Sequence, residues 1–222
     1  MAAVVIPALR RRLGFAPPPE PVADEPEPAV EPGPAITEIE FAAYAEDCRL
    51  FGFWRHDAER LSDALNAAEE YLLHDVLVAA LEDGRASERR ELLVRRDELL
   101  AVRATDPRGN LARRTRLRPS PITLQSGPYT VHGYLHGPPG ADPLGQLRRR
   151  KPMVPLTEAW IEYRAGADHH RGRVGTIIVN RELLDWVHLS RDDEVRLPDL
   201  PAESGFDPHA KDLTGYILTW RD

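Results

Sequence analysis

Alternating apolar and polar residues, broken by glycines, recur along the middle of the chain and predict short β-strands. Each half of the pattern ends in a tight turn, at Arg96–Asp97 or at Asn180–Arg181, that leads into one more short strand. We therefore expect a mainly β fold with a minor helical part. The predicted strands span 37–44, 48–56, 72–81 and 90–95 in the first half, and 121–125, 129–136, 156–164 and 173–179 in the second.

A helical pattern interrupts the first half between its second and third predicted strands. Leu61 and Leu65 lie at helical spacing, and Asp57 is available as an N-cap, so the pattern predicts an inserted helix over 57–70. Proline disfavours helix interiors, so any helix at the matching place in the second half must be short. That segment contains Pro138, Pro139, Gly140 and Pro143.

Three blocks of the first half reappear in the same order in the second half. Leu50-Phe-Gly-Phe-Trp54 is similar to Val131-His-Gly-Tyr-Leu135. Two further pairs of blocks begin at Tyr71 and Val154 and at Leu93 and Ile177, and the separation between the copies grows slowly along the chain. Duplication explains such ordered repetition, and it predicts two tandem, small, barrel-like or bent-sheet domains. Their expected bounds are 36–118 and 119–222, and the second is expected to end in a strand over 214–220.

The order of a glycine-marked strand, a variable insertion and closely spaced hairpins resembles SH3-like or Sm-like barrels. The blocks Val154-Pro-Leu-Thr-Glu158 and Val179-Asn-Arg-Glu-Leu-Leu184 also resemble a small bacterial β-rich domain family of unassigned function. This resemblance covers both halves of the chain. It implies the boundary between two domains and no activity.

The segment before the first predicted strand has a composition unlike the rest of the chain. Residues 16–35 contain eight prolines and five acidic residues, with no basic or aromatic residue, which predicts a disordered linker. In residues 1–15, helical spacing predicts a short amphipathic helix or docking segment. A frayed terminus without a role and a weak contact with an anionic membrane surface are the alternatives. The apolar residues of this segment are Val5, Ile6, Leu9 and Leu13.

The location of the protein is predicted from the same region. No stretch approaches the roughly 18 apolar residues of a membrane span. Arg10, Arg11 and Arg12 follow the apolar start, whereas a secretory signal places its positive charge first. We therefore expect a cytoplasmic protein, and the preference for arginine over lysine indicates a GC-rich bacterial genome.

The charge distribution bears on nucleic acid as a partner. A net charge of −7 argues against a dedicated nucleic-acid binder, but residues 85–118 hold eleven arginines against five acidic residues. Stacking aromatics do not interleave with these arginines, as single-strand binding usually requires. RNA or DNA binding through 85–118 and 148–151 is therefore the alternative function. The second cluster consists of Arg148, Arg149, Arg150 and Lys151.

The sequence carries none of the common catalytic motifs. It has no phosphate-binding glycine loop, no Gly-x-Ser-x-Gly elbow and no His-Glu-x-x-His. Cys48 is interpreted as a small apolar residue, and Asp75 and Glu158 as structural residues at strand starts. We predict no catalytic residue, no cofactor and no metal site. The histidines His132, His136, His169 and His170 are interpreted as surface residues, with a metal site as the alternative.

Protein interaction is the function that the sequence favours. We expect a non-enzymatic adaptor or regulatory scaffold whose partner is another protein, with homo-oligomerisation through sheet edges as one form of contact. An enzyme of unknown type is a distant third alternative. The loop 137–151 is expected to face the partner. The hypothesised partner-binding residues are Val5, Ile6, Leu9, Leu13, Arg148, Arg149, Arg150 and Lys151.

Overall fold

The computed structural model describes residues 37–58, 60–104 and 117–196, together with Ala202. These residues all belong to one compact unit of the chain. The predicted segments at 1–15 and 16–35 and the predicted strand at 214–220 lie outside the described residues.

The described part of the chain is mainly β, as predicted, with short helices between the strands. The strands are β1 Thr37–Tyr44, β2 Cys48–His56, β3 Glu70–Ala80, β4 Ala86–Arg95, β5 Ala101–Arg103, β6 Arg118–Ser126, β7 Tyr129–Gly137, β8 Met153–Ala165, β9 Asp168–Asn180 and β10 Trp186–Leu189. The helices are α1 Leu61–Ala67, α2 Pro143–Arg149 and α3 Asp192–Val195, and 3₁₀ turns span Arg96–Glu98 and Arg181–Leu183.

All ten of these strands form one antiparallel sheet in the order β10-β6-β7-β8-β9-β5-β1-β2-β3-β4. Two strands, a helix, two strands, a 3₁₀ turn and a short strand follow one another in each half. The short strand β5 pairs with β1 of its own half and with β9 of the other half. The two halves therefore share one sheet, and the predicted division into two tandem domains is not confirmed.

A glycine and a β-bulge mark the same place in both halves. Gly52 and Gly133 lie in the second strand of each half, and the following strand shifts register opposite each of them. The shift coincides with a left-handed backbone at Asp75 (φ 48°) and Glu158 (φ 49°). A Cβ atom at Gly52 would lie 2.8 Å from the His74 carbonyl oxygen, so the close approach of the strands requires glycine. The two acidic residues thus occupy bulges within strands, not strand starts.

The strand register also fixes which residues correspond between the halves. Val94 lies opposite Tyr71 on β3, and Val179 lies opposite Val154 on β8. Tyr71 and Val154 already match in the sequence comparison of the two halves. Val94 therefore corresponds to Val179, and Leu93 corresponds to Ile178. The sequence comparison aligned Leu93 with Ile177, whereas the structure aligns it with the next residue, Ile178.

The inserted helix is shorter than the predicted span of 57–70. It begins at Leu61, and the preceding Arg60 makes no side-chain cap, so Asp57 is not the N-cap. It ends at Ala67 because Ala68 is extended and the chain enters β3 at Glu70. The predicted inward face is confirmed, since Leu61 and Leu65 are 2% and 0% exposed. Helix α2 in the second half is equally short.

Two hydrophobic cores lie on opposite faces of the central strands. On β9, Ile177 and Val179 pack in the core of the second half, whereas Ile178 packs in the core of the first half. On β5, Ala101 and Val102 divide between the two cores in the same way. Successive side chains of a strand point to opposite faces, so the middle of the sheet is buried on both sides.

Candidate protein-binding edges of the sheet

The strand β4 forms one end of the sheet and, among the described residues, pairs only with β3. Its middle is lined by the exposed charges of Glu88, Arg89, Arg90 and Glu91. Charged residues of this kind protect an edge strand from unwanted pairing. This charged run ends at Glu91, and Leu93, two residues further along the strand, is apolar and 58% exposed.

Leu93 forms an apolar patch with its neighbour on β3. Leu72 lies directly opposite Leu93 in the strand register and is 45% exposed. The side chains of directly opposite residues on one face contact each other. The two leucines therefore present a continuous apolar surface beside the edge of β4, with which no described strand other than β3 pairs.

The other end of the sheet, β10, carries a second apolar surface. Trp186 and Leu189 are 46% and 49% exposed, and Trp186 stacks against His188 at a ring-centroid distance of 5.5 Å. In the described residues, four of the five exposed large hydrophobic side chains lie on β3, β4 and β10. Exposed apolar surface is therefore concentrated at the two sheet edges. The fifth is Leu117, directly before β6.

The predicted basic cluster lies at the end of α2 and divides into two roles. Arg148, Arg149 and Lys151 are exposed. Arg150 is half-buried and donates a hydrogen bond to the carbonyl of His136, and burial lowers its pKa from the ordinary value. Arg150 therefore stabilises the fold, and the other three remain available to a partner. The other hypothesised partner-binding residues, Val5, Ile6, Leu9 and Leu13, lie outside the described residues.

Several arginines of the 85–118 segment lie beside acidic residues where the structure describes them. Arg85 pairs with Asp83 at 3.2 Å, and Arg95 pairs with Asp97 at 2.6 Å. The remaining arginines on β4 are flanked by glutamates. Residues 105–116, with four more arginines, lie outside the described residues.

Two of the histidines that could have ligated a metal form contacts within the second half. His132 stacks on Trp160 with ring centroids 3.7 Å apart, and its Nδ1 lies 2.9 Å from the Thr123 hydroxyl. Burial lowers its pKa from 6.5 to about 4, so the ring is neutral at pH 7. His136 hydrogen-bonds the Thr157 hydroxyl at 2.6 Å.

The remaining candidate ligands are also separated. His170 stacks on Tyr163, and His169 lies 3.8 Å from a carboxylate oxygen of Glu162. No group of three or more potential ligands gathers around a common point in the ranges that the structure describes. Burial and the neighbouring Asp47 raise the pKa of the Cys48 thiol to about 12, which disfavours the nucleophilic thiolate.

The outer face of the second half is covered by the chain itself. After β10, Ser190 lies 2.6 Å from the Thr123 hydroxyl, and the Val195 carbonyl accepts a hydrogen bond from Trp160. Further along, Ala202 forms a parallel bridge with Arg173 on β9. This segment shields Trp160 and His132 from solvent, so the accessible apolar surface lies at the sheet edges.

The edge residues Leu72, Leu93 and Trp186 were not singled out from the sequence. A signal was present: Leu92-Leu93-Val94 is an unbroken apolar run, whereas a strand with one solvated face alternates. The matching run, Ile177-Ile178-Val179, is buried on both faces.

Comparisons with protein-family models, with curated proteins and with solved structures find no match for this chain. In the described ranges, no helix is long and apolar enough to cross a membrane.

Proposed function

We propose that this protein is a non-enzymatic scaffold that binds protein through the open edges of its sheet. The observation that carries the proposal is the exposed pair Leu72 and Leu93 beside the outer edge of β4, which pairs with no strand but β3 in the described ranges. An added strand would pair with that edge, and its side chains would cover the two leucines. Covering each half-exposed leucine would contribute on the order of 1 kcal/mol.

The proposal includes a duplication followed by divergence of the two copies. The matched glycines and the matched bulges at Asp75 and Glu158 support a common origin of the halves. The second half is covered by residues 190–196, whereas the first half keeps exposed leucines at its edge. This difference supports a division in which the two halves provide different surfaces, the exposed leucines in the first half and the exposed residues of β10 in the second.

Site-specific photo-crosslinking in the cells that produce the protein tests this function. A photoreactive amino acid at position 93 is expected to form covalent adducts with protein. The matched control is position 117, where another leucine is exposed, at 43%, but does not lie on an edge strand. Adduct formation at 93 and not at 117 supports the scaffold. Equal yields at the two positions, or no adduct at 93, contradict it.

Nucleic-acid binding is the second candidate, favoured by the joint exposure of Arg148, Arg149 and Lys151. Phosphate contacts need only such charge and weaken steeply with salt. Replacing Arg148 and Arg149 with serine should leave retention on heparin unchanged if the scaffold proposal is right. A large, salt-dependent loss of retention would favour the nucleic-acid alternative.

A further inference from the structure

We propose that the β4 edge of one molecule pairs with the β10 edge of a second copy and repeats, between molecules, the pairing of β5 with β9 within one molecule. The inference rests on the proposed function and names the partner as this same chain. It follows from the correspondence of the two halves, which makes β4 the counterpart of β9 and β10 the counterpart of β5.

The internal junction shows what each edge strand contacts when it has a partner. Ala101, Val102 and Arg103 on β5 lie opposite Val179, Ile178 and Ile177 on β9. Val94 and Val179 are 85 residues apart, and the same separation relates the other residues of the junction. The counterparts of Val179, Ile178 and Ile177 on β4 are therefore Val94, Leu93 and Leu92. The counterparts of Ala101, Val102 and Arg103 on β10 are Trp186, Val187 and His188. The same register therefore places Val187 of one copy opposite Leu93 of the next.

Exposure supports this correspondence at both edges. Leu93 is 58% exposed, whereas its counterpart Ile178 is 1% exposed because the first half covers it. Trp186 is 46% exposed, whereas its counterpart Ala101 is 2% exposed because the second half covers it. The two apolar residues are thus accessible at positions that the internal junction buries.

The sizes of the side chains differ between corresponding positions of the two halves. The small residue Ala101 shares its core with the large residues Tyr129 and Tyr163. At the proposed junction, the large residue Trp186 takes the place of Ala101. When the matched blocks are extended by two residues, the counterparts of the two tyrosines are the small residues Cys48 and Ala80, which pair with each other in the first half.

The backbone of β4 has a donor for this pairing. Asn180 donates its backbone N–H to the carbonyl of Leu100, across the junction. Backbone groups alternate sides along a strand, so the N–H of Ile178 also points toward β5. By correspondence the N–H of Leu93 points away from β3, toward a strand added at the edge.

The contact joins two different surfaces, so it is heterologous. One copy offers β10 and the next offers β4, so the joined pair still presents one β4 edge and one β10 edge for further contacts. Head-to-tail contacts of this kind build rings or open filaments, not only dimers.

Sedimentation of the full chain with two complementary variants tests the proposal. Leu93→Glu removes the β4 surface, and Trp186→Glu removes the β10 surface. Wild-type protein is expected to show a sedimentation coefficient that rises with concentration, and each variant alone is expected to stay monomeric. An equimolar mixture of the two variants is expected to form one-to-one dimers, because one variant keeps β10 and the other keeps β4.

Leu117→Glu changes an exposed leucine outside both edge strands, so this variant should associate like the wild type. Circular dichroism at the working temperature checks that each variant is folded. A wild type that stays monomeric, a Trp186→Glu variant that still self-associates, or a mixture that does not dimerise overturns the proposal.

Photo-crosslinking at position 93 distinguishes a failure of the self-association from a failure of the scaffold function. An adduct with a second copy of the chain supports both. An adduct with a different protein, or with residues 203–222 of the same chain, overturns the self-association. The scaffold function survives the first of these outcomes and not the second.

Discussion

Replacing Gly52 with alanine places a methyl group against the backbone of the neighbouring strand. The added Cβ would lie 2.8 Å from the His74 carbonyl oxygen and 3.1 Å from a methyl carbon of Val76. The first contact is with backbone at a bulge, so it cannot be relieved by a side-chain rotation. At the matching Gly133, the closest contacts are 3.2 Å, to the Cβ atoms of Leu156 and Ala159.

These distances set the expected loss of stability. Overpacking a well-packed site costs about 1–3 kcal/mol. We expect a loss of about 3 kcal/mol for Gly52→Ala, where backbone must move, and about 1 kcal/mol for Gly133→Ala, where shifts of a few tenths of an ångström suffice. In a domain of this size, 1 kcal/mol corresponds to about 2–4 °C in Tm, so the two variants should differ clearly.

The assay is thermal and denaturant unfolding followed by circular dichroism. Gly137→Ala is the control, because Gly137 lies on the same strand as Gly133 and its added Cβ would approach nothing closer than 3.9 Å. It should be neutral or slightly stabilising, since alanine restricts the unfolded chain more than glycine does. Equal melting of all three variants, or a Gly137→Ala loss as large as that of Gly52→Ala, would refute the reasoning.

Three further predictions concern stability. Asp75→Gly and Glu158→Gly should each be neutral or stabilising by up to about 1 kcal/mol in denaturant unfolding, because glycine adopts the left-handed backbone without strain; a clear loss would contradict this. Leu65→Ala should lower the free energy of unfolding by about 2–4 kcal/mol, since the side chain is fully buried, and an unchanged melt would contradict its place in the core. Acid should also weaken the fold: the pKa of His132 is about 4 in the folded chain against an ordinary value of 6.5, so its contribution is complete above about pH 6.5 and is lost, by up to about 3 kcal/mol, as the pH falls toward 4. The free energy of unfolding, measured at several pH values, should depend less steeply on pH in His132→Phe than in the wild type. The same dependence in both proteins would contradict the prediction.

Much of the local structure could be predicted from the sequence because it depends on neighbouring residues. The bounds of β1 and β2 match the predicted strands, since alternation and turn residues define them. The inward face of α1 follows from the spacing of Leu61 and Leu65. The glycines at 52 and 133 were found as a repeated motif, although only the structure shows the backbone contact that requires them.

The pairing of β5 could not be predicted because it is a long-range choice between similar partners. Ala101–Arg103 is a short strand, and its sequence does not distinguish β4 of its own half from β9 of the other. The edge surface depends on that choice, because Leu93 becomes exposed only when β5 pairs with β9. The local sequence pattern therefore predicts the strands, whereas the exposed edge surface depends on the order of the strands in the sheet.

Hydrogen exchange at the Leu93 amide shows directly whether a second copy pairs with β4, because this N–H points away from β3. In wild-type protein, we expect exchange at this amide to slow by roughly tenfold or more as the protein concentration rises and a second copy pairs with the edge. In Trp186→Glu, exchange at Leu93 should stay fast at every concentration. A Leu93 amide that exchanges at the same rate at low and high concentration in the wild type would contradict the account.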